Sequence, residues 1–292
     1  MNIRELEMEL CSYGIEDART EAFLIIERLF GVNRSSLLLD RSRDFDSPQL
    51  EQVLKKRKER VPLQYIFGDW DFMGKKFLVS EECLIPQPDT EILVEKALEI
   101  LKKWQGVDEN AKCKMQNAKS DTLVADLCTG SGCIGLSLLM YGAVNRVMLM
   151  DISKGALNMA RKNARLHGLA DRCDFVLGDI TVDLPKEKYK MIVSNPPYIP
   201  TGDIEALPEE VKKEPHLALD GGCDGLDIIR FLIGDGLAYL DENGVMLIEF
   251  GYDQGEKIDL LLREKCDTGF IKSYEILYDY GNNPRVAVVN GK

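Results

Sequence analysis

From residue 122 onward the chain alternates short apolar runs with helix-length amphipathic stretches, and few architectures satisfy that rhythm. The runs are Thr122–Leu127, Arg146–Met150, Asp174–Leu177, Met191–Ser194 and Val245–Phe250, all rich in Val, Ile, Leu and Met. Stretches such as Ser153–His167 and Leu226–Leu240 have the length and spacing of helices and separate them. Strands with little polar alternation are buried on both faces, so the pattern predicts a mostly parallel sheet covered on both sides by helices. Two last strands, Tyr274–Tyr278 and Arg285–Val289, are separated by Gly281-Asn282-Asn283-Pro284. That join is too short for a crossover helix, so this pair is expected to be antiparallel.

The first part of the chain follows a different period. Ile3, Leu6 and Leu10 repeat at helical spacing, Ala22, Phe23, Ile25, Ile26, Leu29 and Phe30 form a second stripe closed by Gly31, and Ser47-Pro48 opens a third helix carrying Leu50, Val53 and Leu54. Residues 1–65 are therefore expected to form a small helical domain. Residues 66–87, with Gly68, Gly74 and the aromatics Phe67, Trp70, Phe72 and Phe77, read as a hairpin-like connector. The rest, 88–292, is the α/β domain. It opens with a helix near Asp89, and a polar surface loop is expected from Gly106 to Ser120.

Composition narrows the function. With 37 Lys+Arg against 49 Asp+Glu, the net charge is −12, an average field that repels nucleic-acid phosphates. The run Lys55-Lys56-Arg57-Lys58 reads as a solvated helix face. The eight cysteines include no C-x-x-C pair and there are only two histidines, His167 and His216, so a metal site has no plausible spacing. The chain shows no apolar run of membrane-spanning length, and its start, Met1 to Glu7, mixes charges where a signal peptide would be apolar. A cytoplasmic protein with reduced thiols is expected.

Two loops carry the chemistry. The first follows Asp126-Leu127: Cys128-Thr129-Gly130-Ser131-Gly132, with Gly135 in the next helix, giving Gly-x-Gly-x-x-Gly. Glycines at a strand's carboxyl end let the backbone turn sharply and approach a ligand, and Asp151, at the end of the next strand, stands where such folds hold ribose hydroxyls. An adenosine-type cofactor is expected, although the same letters also occur in ordinary tight turns. Asp126, just ahead of the loop, suits an ammonium group better than a pyrophosphate.

The second loop is Asn195-Pro196-Pro197-Tyr198, directly after the strand at Met191–Ser194. The prolines fix two φ angles and remove two donors. What remains is the Asn195 side chain, the proline carbonyls and an aromatic plate, a set suited to a planar substrate bearing an NH₂ group. Such a nitrogen has a delocalised lone pair and is a poor nucleophile. Two acceptors on its hydrogens orient it and favour pyramidalisation as attack begins.

The glycine loop resembles the first motif of the class I S-adenosylmethionine-dependent methyltransferases, with Cys128 where that motif commonly has its first glycine; the departure implies a backbone conformation that a β-carbon tolerates. Asn-Pro-Pro-Tyr is the signature of methyltransferases acting on amino nitrogens, among them DNA adenine N6-methyltransferases and protein-glutamine N5-methyltransferases. Three further stretches resemble the release factor glutamine methyltransferases: Ile85-Pro86-Gln87-Pro88-Asp89-Thr90-Glu91, Glu214-Pro215-His216-Leu217-Ala218-Leu219-Asp220-Gly221-Gly222, and Asp279-Tyr280-Gly281-Asn282-Asn283-Pro284-Arg285. Gln87 stands where that family usually has arginine.

The resemblance covers essentially the whole chain. It implies a Rossmann-like, mostly parallel seven-stranded sheet with a small all-α amino-terminal domain and a hairpin connector. It implies S-adenosyl-L-methionine as cofactor, S-adenosyl-L-homocysteine as product, and the glutamine of the Gly-Gly-Gln motif in peptide chain release factors 1 and 2 as substrate. Asp126, Cys128, Thr129, Gly130, Ser131, Gly132, Asp151, Asp179, Ile180 and Asn195 are then the expected cofactor residues. Asn195, Pro196, Pro197 and Tyr198 are the expected catalytic and substrate-binding residues, with no metal. The rival readings are a ribosomal-protein glutamine methyltransferase, a nucleic-acid adenine N6-methyltransferase, a non-catalytic cofactor-binding adaptor and a nicotinamide dehydrogenase. Charge and the missing target-recognition domain oppose the nucleic-acid reading, an adaptor has no reason to keep Asn-Pro-Pro-Tyr intact, and nothing in the chain offers a dehydrogenase its hydride-transfer acid-base pair.

Overall fold

The computed structural model describes residues 1–106 and 123–292. Beyond Gly106 itself, the loop expected to Ser120 lies outside the described residues, as does Thr122 at the start of the first expected strand. The chain forms two compact units, Met1–Gly68 with Pro208–Lys213, and Asp69–Leu207 with Glu214–Lys292. The short segment Pro208–Lys213 therefore belongs with the helical residues, although it lies far along the sequence.

In the first unit, helices span Ile3–Ser12, Ala18–Phe30, Arg34–Leu39, Pro48–Lys58 and Leu63–Phe67. Their ends follow local chemistry. Asn2 and Glu5 form a reciprocal capping box, Gly31 ends its helix at a φ of 65°, and the Ser47 hydroxyl accepts from the N–H of Leu50 at 3.1 Å. The apolar stripes meet in one core containing Leu6, Leu10, Ala22, Ile25, Ile26 and Leu37. Of the basic run, Lys55, Lys56 and Lys58 are exposed, but Arg57 is fully buried. Its guanidinium donates to both Glu21 oxygens at 2.8 and 2.9 Å, to Glu210 at 3.1 Å and to the Val61 carbonyl at 2.7 Å. The expected solvated face thus contains one residue turned inward to hold two acids.

The second unit opens with a hairpin of β1 (Asp69–Phe72) and β2 (Lys75–Leu78). Its turn residues Met73 and Gly74 both have positive φ, 50° and 64°, which suits the twist of a two-residue hairpin. The main sheet contains β3 (Val124–Leu127), β4 (Val147–Asp151), β5 (Cys173–Leu177), β6 (Tyr189–Ser194), β7 (Leu240–Glu249), β8 (Ser273–Tyr278) and β9 (Pro284–Asn290). Its order is β5-β4-β3-β6-β7-β9-β8, with β9 antiparallel to both neighbours and the other pairings parallel.

Alternate residues of the strands enter opposite cores. Val124, Val147, Leu149 and Val193 pack with Leu93, Leu136 and Ala160, whereas Ala125, Leu127, Met150 and Ile192 pack with Ile229, Ile258 and Leu262. Covering both faces explains why these strands lack polar alternation. The helix expected over Leu226–Leu240 is shorter, Asp227–Ile233, followed by a 3-10 turn at Asp235–Tyr239. Gly234 separates them at φ −99°, ψ −107°, outside the helical region. The chain runs from β3 to β4 on one side of β3 and reaches β6 on the other. In such sheets the crevice beyond the carboxyl ends at this reversal is the natural ligand site.

Candidate active site

A cavity of about 200 Å³ lies at that reversal. The glycine loop, the ends of β4 and β6, the connector after the hairpin and the segment from Pro215 to Asp220 all reach it. Of the residues expected at the site, Cys128, Thr129, Gly130, Ser131, Asp151, Asp179, Ile180, Asn195 and Pro197 line it. Asp126, Gly132, Pro196 and Tyr198 do not.

Each of the four has a structural reason. Asp126 is fully buried behind the loop, where one carboxylate oxygen accepts from the Thr129 hydroxyl at 2.6 Å and the Gly135 N–H at 2.9 Å. It shapes the loop from within, and its other oxygen has no partner in the protein. Burial pushes its carboxyl up to about 7 against those two hydrogen bonds. Gly132 sits at φ 83° as the turn into the helix Cys133–Met140. Pro196 is buried, and Tyr198 is turned against the core that contains Leu127 and Ile192, with its carbonyl accepting from Gln254 Nε2 at 2.8 Å. Burial pushes the Tyr198 hydroxyl well above its usual range.

Cys128 also departs from expectation. Its φ is 58°, in the left-handed region that favours glycine, so the β-carbon is accommodated with strain on the order of 1–2 kcal/mol. Gly135 is needed for space: a β-carbon there would come within 2.5 Å of Leu149. Asp151 braces the loop, one oxygen accepting from the Gly130 N–H and the other from the Ser153 N–H, both at 2.8 Å. Burial raises its carboxyl above the ordinary value, and these backbone N–H groups oppose the rise.

Asn195 reaches the cavity from the end of β6. Its Nδ2 donates to the Thr90 hydroxyl at 3.2 Å, while its buried Oδ1 has no partner within the protein. An unpartnered buried acceptor is costly unless a ligand uses it. The glycine-rich segment after Asp220 packs against the same turn. A β-carbon on Gly221 would meet the Pro197 carbonyl at 2.8 Å, and one on Gly225 the Tyr198 carbonyl at 2.2 Å. The glycines there admit backbone against backbone.

Sequence reasoning passed over Asn163 and quoted Glu214, Arg285 and Gln87 within longer stretches without giving them a place in the site. Buried Asn163 ties the glycine loop to the hairpin, donating to the carbonyls of Ser131 and Leu78, both at 2.9 Å, and accepting from the Leu78 N–H at 2.7 Å. Glu214 accepts from the Ile85 N–H at 2.9 Å, joining two cavity walls, and burial pushes its carboxyl up to about 7. Arg285 pairs with Asp89 at 2.9 Å and Asp279 at 3.2 Å, anchoring the helix that carries Thr90. Asp279 is held down to about 2, chiefly by the N–H of Asn283. Gln87 is exposed at the cavity wall, and its side chain donates to the Ile85 carbonyl at 3.1 Å.

Two family models match the chain, the PrmC N-terminal domain over residues 3–68 and the methyltransferase small domain over residues 103–213. The release factor glutamine methyltransferase of Moorella thermoacetica is 36% identical over 284 residues, 96% of this chain and 94% of that protein. The protein of the same name from Aquifex aeolicus is 33% identical over 283 residues, with the same 96% and 94% coverage. The chain belongs to the release factor glutamine methyltransferase family. It is thus an S-adenosylmethionine-dependent methyltransferase with the class I fold. The hMettl16 catalytic domain, solved in complex with the MAT2A 3'UTR hairpin 6, shares that fold at a TM-score of 0.53 and 15% identity, over 86% of this chain and 94% of that one. Among the described residues no group of three His, Cys, Asp or Glu side chains is placed to hold a metal, and no helix is long and apolar enough to cross a membrane.

Proposed function

We propose that this methyltransferase moves the methyl group of S-adenosyl-L-methionine to the side-chain amide nitrogen (N5) of the glutamine in the Gly-Gly-Gln motif of peptide chain release factors 1 and 2, in the cytoplasm. The observation that carries the reading is the unpartnered Oδ1 of Asn195, at the wall of a cavity that the carboxylate of Asp151 also lines. One is an acceptor awaiting an NH₂ group; the other is an anionic acceptor suited to a ribose diol.

The donor set fits the cofactor. Asp151 is at the cavity wall with lone pairs beyond those used by Gly130 and Ser153, Asp179 and Ile180 border a place for the adenine, and Thr129 to Ser131 offer a close backbone approach. When bound, S-adenosylmethionine supplies an electrophilic methyl group on a sulfonium whose charge disperses during transfer. The protein's task is then alignment more than strong base catalysis. Asn195 Oδ1 accepts one hydrogen of the glutamine amide, a carbonyl of the proline pair accepts the other, and Pro197 limits where the amide plane can lie. Holding both hydrogens directs the nitrogen lone pair toward the methyl group, and the one proton that the methylated nitrogen must shed would leave along its hydrogen bond to solvent in the cavity. The helical unit, Met1–Gly68, serves in this reading to dock the folded release factor.

The test is acceptor competition. The purified chain is incubated with methyl-labelled cofactor and, in parallel, a release factor, a ribosomal protein, a nucleic-acid hairpin and duplex DNA. Label on the release factor that maps to its Gly-Gly-Gln glutamine supports the reading. Label on the ribosomal protein or on adenine, with none on the release factor, overturns it.

A further inference from the structure

The end of β7 places a buried acid beside the amide-binding turn. Ser194 of β6 is paired with Ile248 of β7, so Asn195 and Glu249 follow side by side at the carboxyl edge of the sheet. Glu249 is 1% exposed and Thr90 is 2% exposed. Asn195 Nδ2 donates to the Thr90 hydroxyl at 3.2 Å, and the Glu249 carboxylate beside them keeps one oxygen, Oε2, with no hydrogen-bond partner in the protein. An ionised carboxylate only accepts hydrogen bonds. A second acceptor turned toward it would meet a like partial charge, so the Asn195 amide faces its NH₂ to Thr90 and leaves Oδ1 as the free end. The unpartnered state of that oxygen follows from this arrangement.

We propose that Glu249, directly and through Thr90, is a positioning residue that locks the Asn195 amide with its oxygen presented to the substrate NH₂. The proposal deepens the glutamine reading and rests on it. Protonation of Glu249 would undo the lock, because a carboxylic acid donates. The unpartnered Oδ1 of Asn195 is the acceptor beside it, and an amide turned to receive that proton offers the substrate a donor in place of an acceptor. Burial pushes Glu249 up to about 7, against the nearby Thr90 hydroxyl, the positive charge of Arg285 and the nearby Asn195 amide. The titratable and charged groups around it are Asp89 on the helix Pro88–Trp104, Tyr198 after β6, Cys133 at the start of its helix and Arg285 on β9. The lock is set as pH rises through about 7 and released below it.

The experiment measures kcat against pH for wild type, Glu249→Gln, Thr90→Val and Thr90→Ser, with cofactor affinity by calorimetry and cooperative unfolding for each. Glutamine has nearly the volume of glutamate but carries a permanent donor. Its kcat should fall about 10- to 100-fold, the scale of a misplaced reacting group, with cofactor affinity unchanged. The wild-type rise in kcat through neutral pH should be absent in Glu249→Gln. Thr90→Val should lose turnover similarly, and Thr90→Ser, which keeps the hydroxyl, should restore it. A Glu249→Gln enzyme with wild-type kcat and pH profile overturns the positioning role. So does loss of turnover that comes only with loss of cofactor binding and folding. A wild type that methylates no glutamine defeats the underlying reading, and with it this one, before any variant is compared.

Discussion

Replacing Asp151 with alanine separates two tasks that the structure gives one carboxylate. Its two oxygens accept from the N–H groups of Gly130 and Ser153 at 2.8 Å each, and the residue is 9% exposed at the cavity wall. A carboxylate has roughly four acceptor sites, so about two remain for the ribose hydroxyls of the proposed cofactor. Losing charge-assisted bonds to a ligand costs about 1.5–3 kcal/mol, or roughly 10- to 150-fold in affinity. The two backbone N–H groups lose their partner as well. Because they border an open cavity, water can replace the acceptor, and the stability cost should stay near about 1 kcal/mol, the low end for an unmade bond. The assay is calorimetric titration with S-adenosylhomocysteine alongside thermal unfolding. Asp151→Asn is the control: its NH₂ would face one of the two N–H donors, so it should rescue neither task. Affinity within two-fold of wild type in Asp151→Ala would refute the ribose assignment. A collapse of folding would mean that the brace, and not the ligand, is its main role.

Three further perturbations follow from the geometry. Asp126 has a folded-state pKa of about 7 against an ordinary 3.8, so the fold favours its neutral form: this contribution to stability is full below about pH 4 and is lost as pH rises to about 7. Asp126→Asn should therefore flatten the fall in melting temperature between acid and neutral pH, and an unchanged pH profile would contradict the assignment. Cys128→Gly removes a β-carbon from a backbone at φ 58° and should raise stability by about 0.5–1 kcal/mol in denaturant titration after the added freedom of the unfolded chain is subtracted; a net loss would show that the thiol's contacts outweigh the strain. Arg57→Ala should cost about 3 kcal/mol because it strips Glu21 of its cation, Glu210 keeping Arg60 at 2.6 Å, whereas Lys56→Ala on the exposed face of the same helix should change little; equal effects would contradict the buried network.

The strands and the two loops were legible because their determinants are local. Continuous apolar runs, glycines at the positive φ of a sharp turn, 55° at Gly130 and 83° at Gly132, and a proline pair after an apolar run all act within a few residues. Boundaries moved where one residue overrode the pattern, as at Gly234, where a helical apolar stripe continued past a backbone that could not. What sequence could not give was the support of the site. Thr90 holds Asn195 across 105 positions and Asn163 holds the glycine loop across 32. No spacing announces such pairs, since tertiary packing alone brings them together. The same reason explains the place of Asp126: the turn folds it inward, where one oxygen holds Thr129 and Gly135.

The central claim is that Asn195 serves the substrate amide while the cofactor is held by other residues of the same cavity. A single-turnover measurement on Asn195→Ala, at saturating cofactor with a release factor as acceptor, tests it directly when paired with the cofactor's dissociation constant. The account predicts that methyl transfer is lost while cofactor affinity stays within a few-fold of wild type. Methyl transfer near the wild-type rate in Asn195→Ala would contradict it.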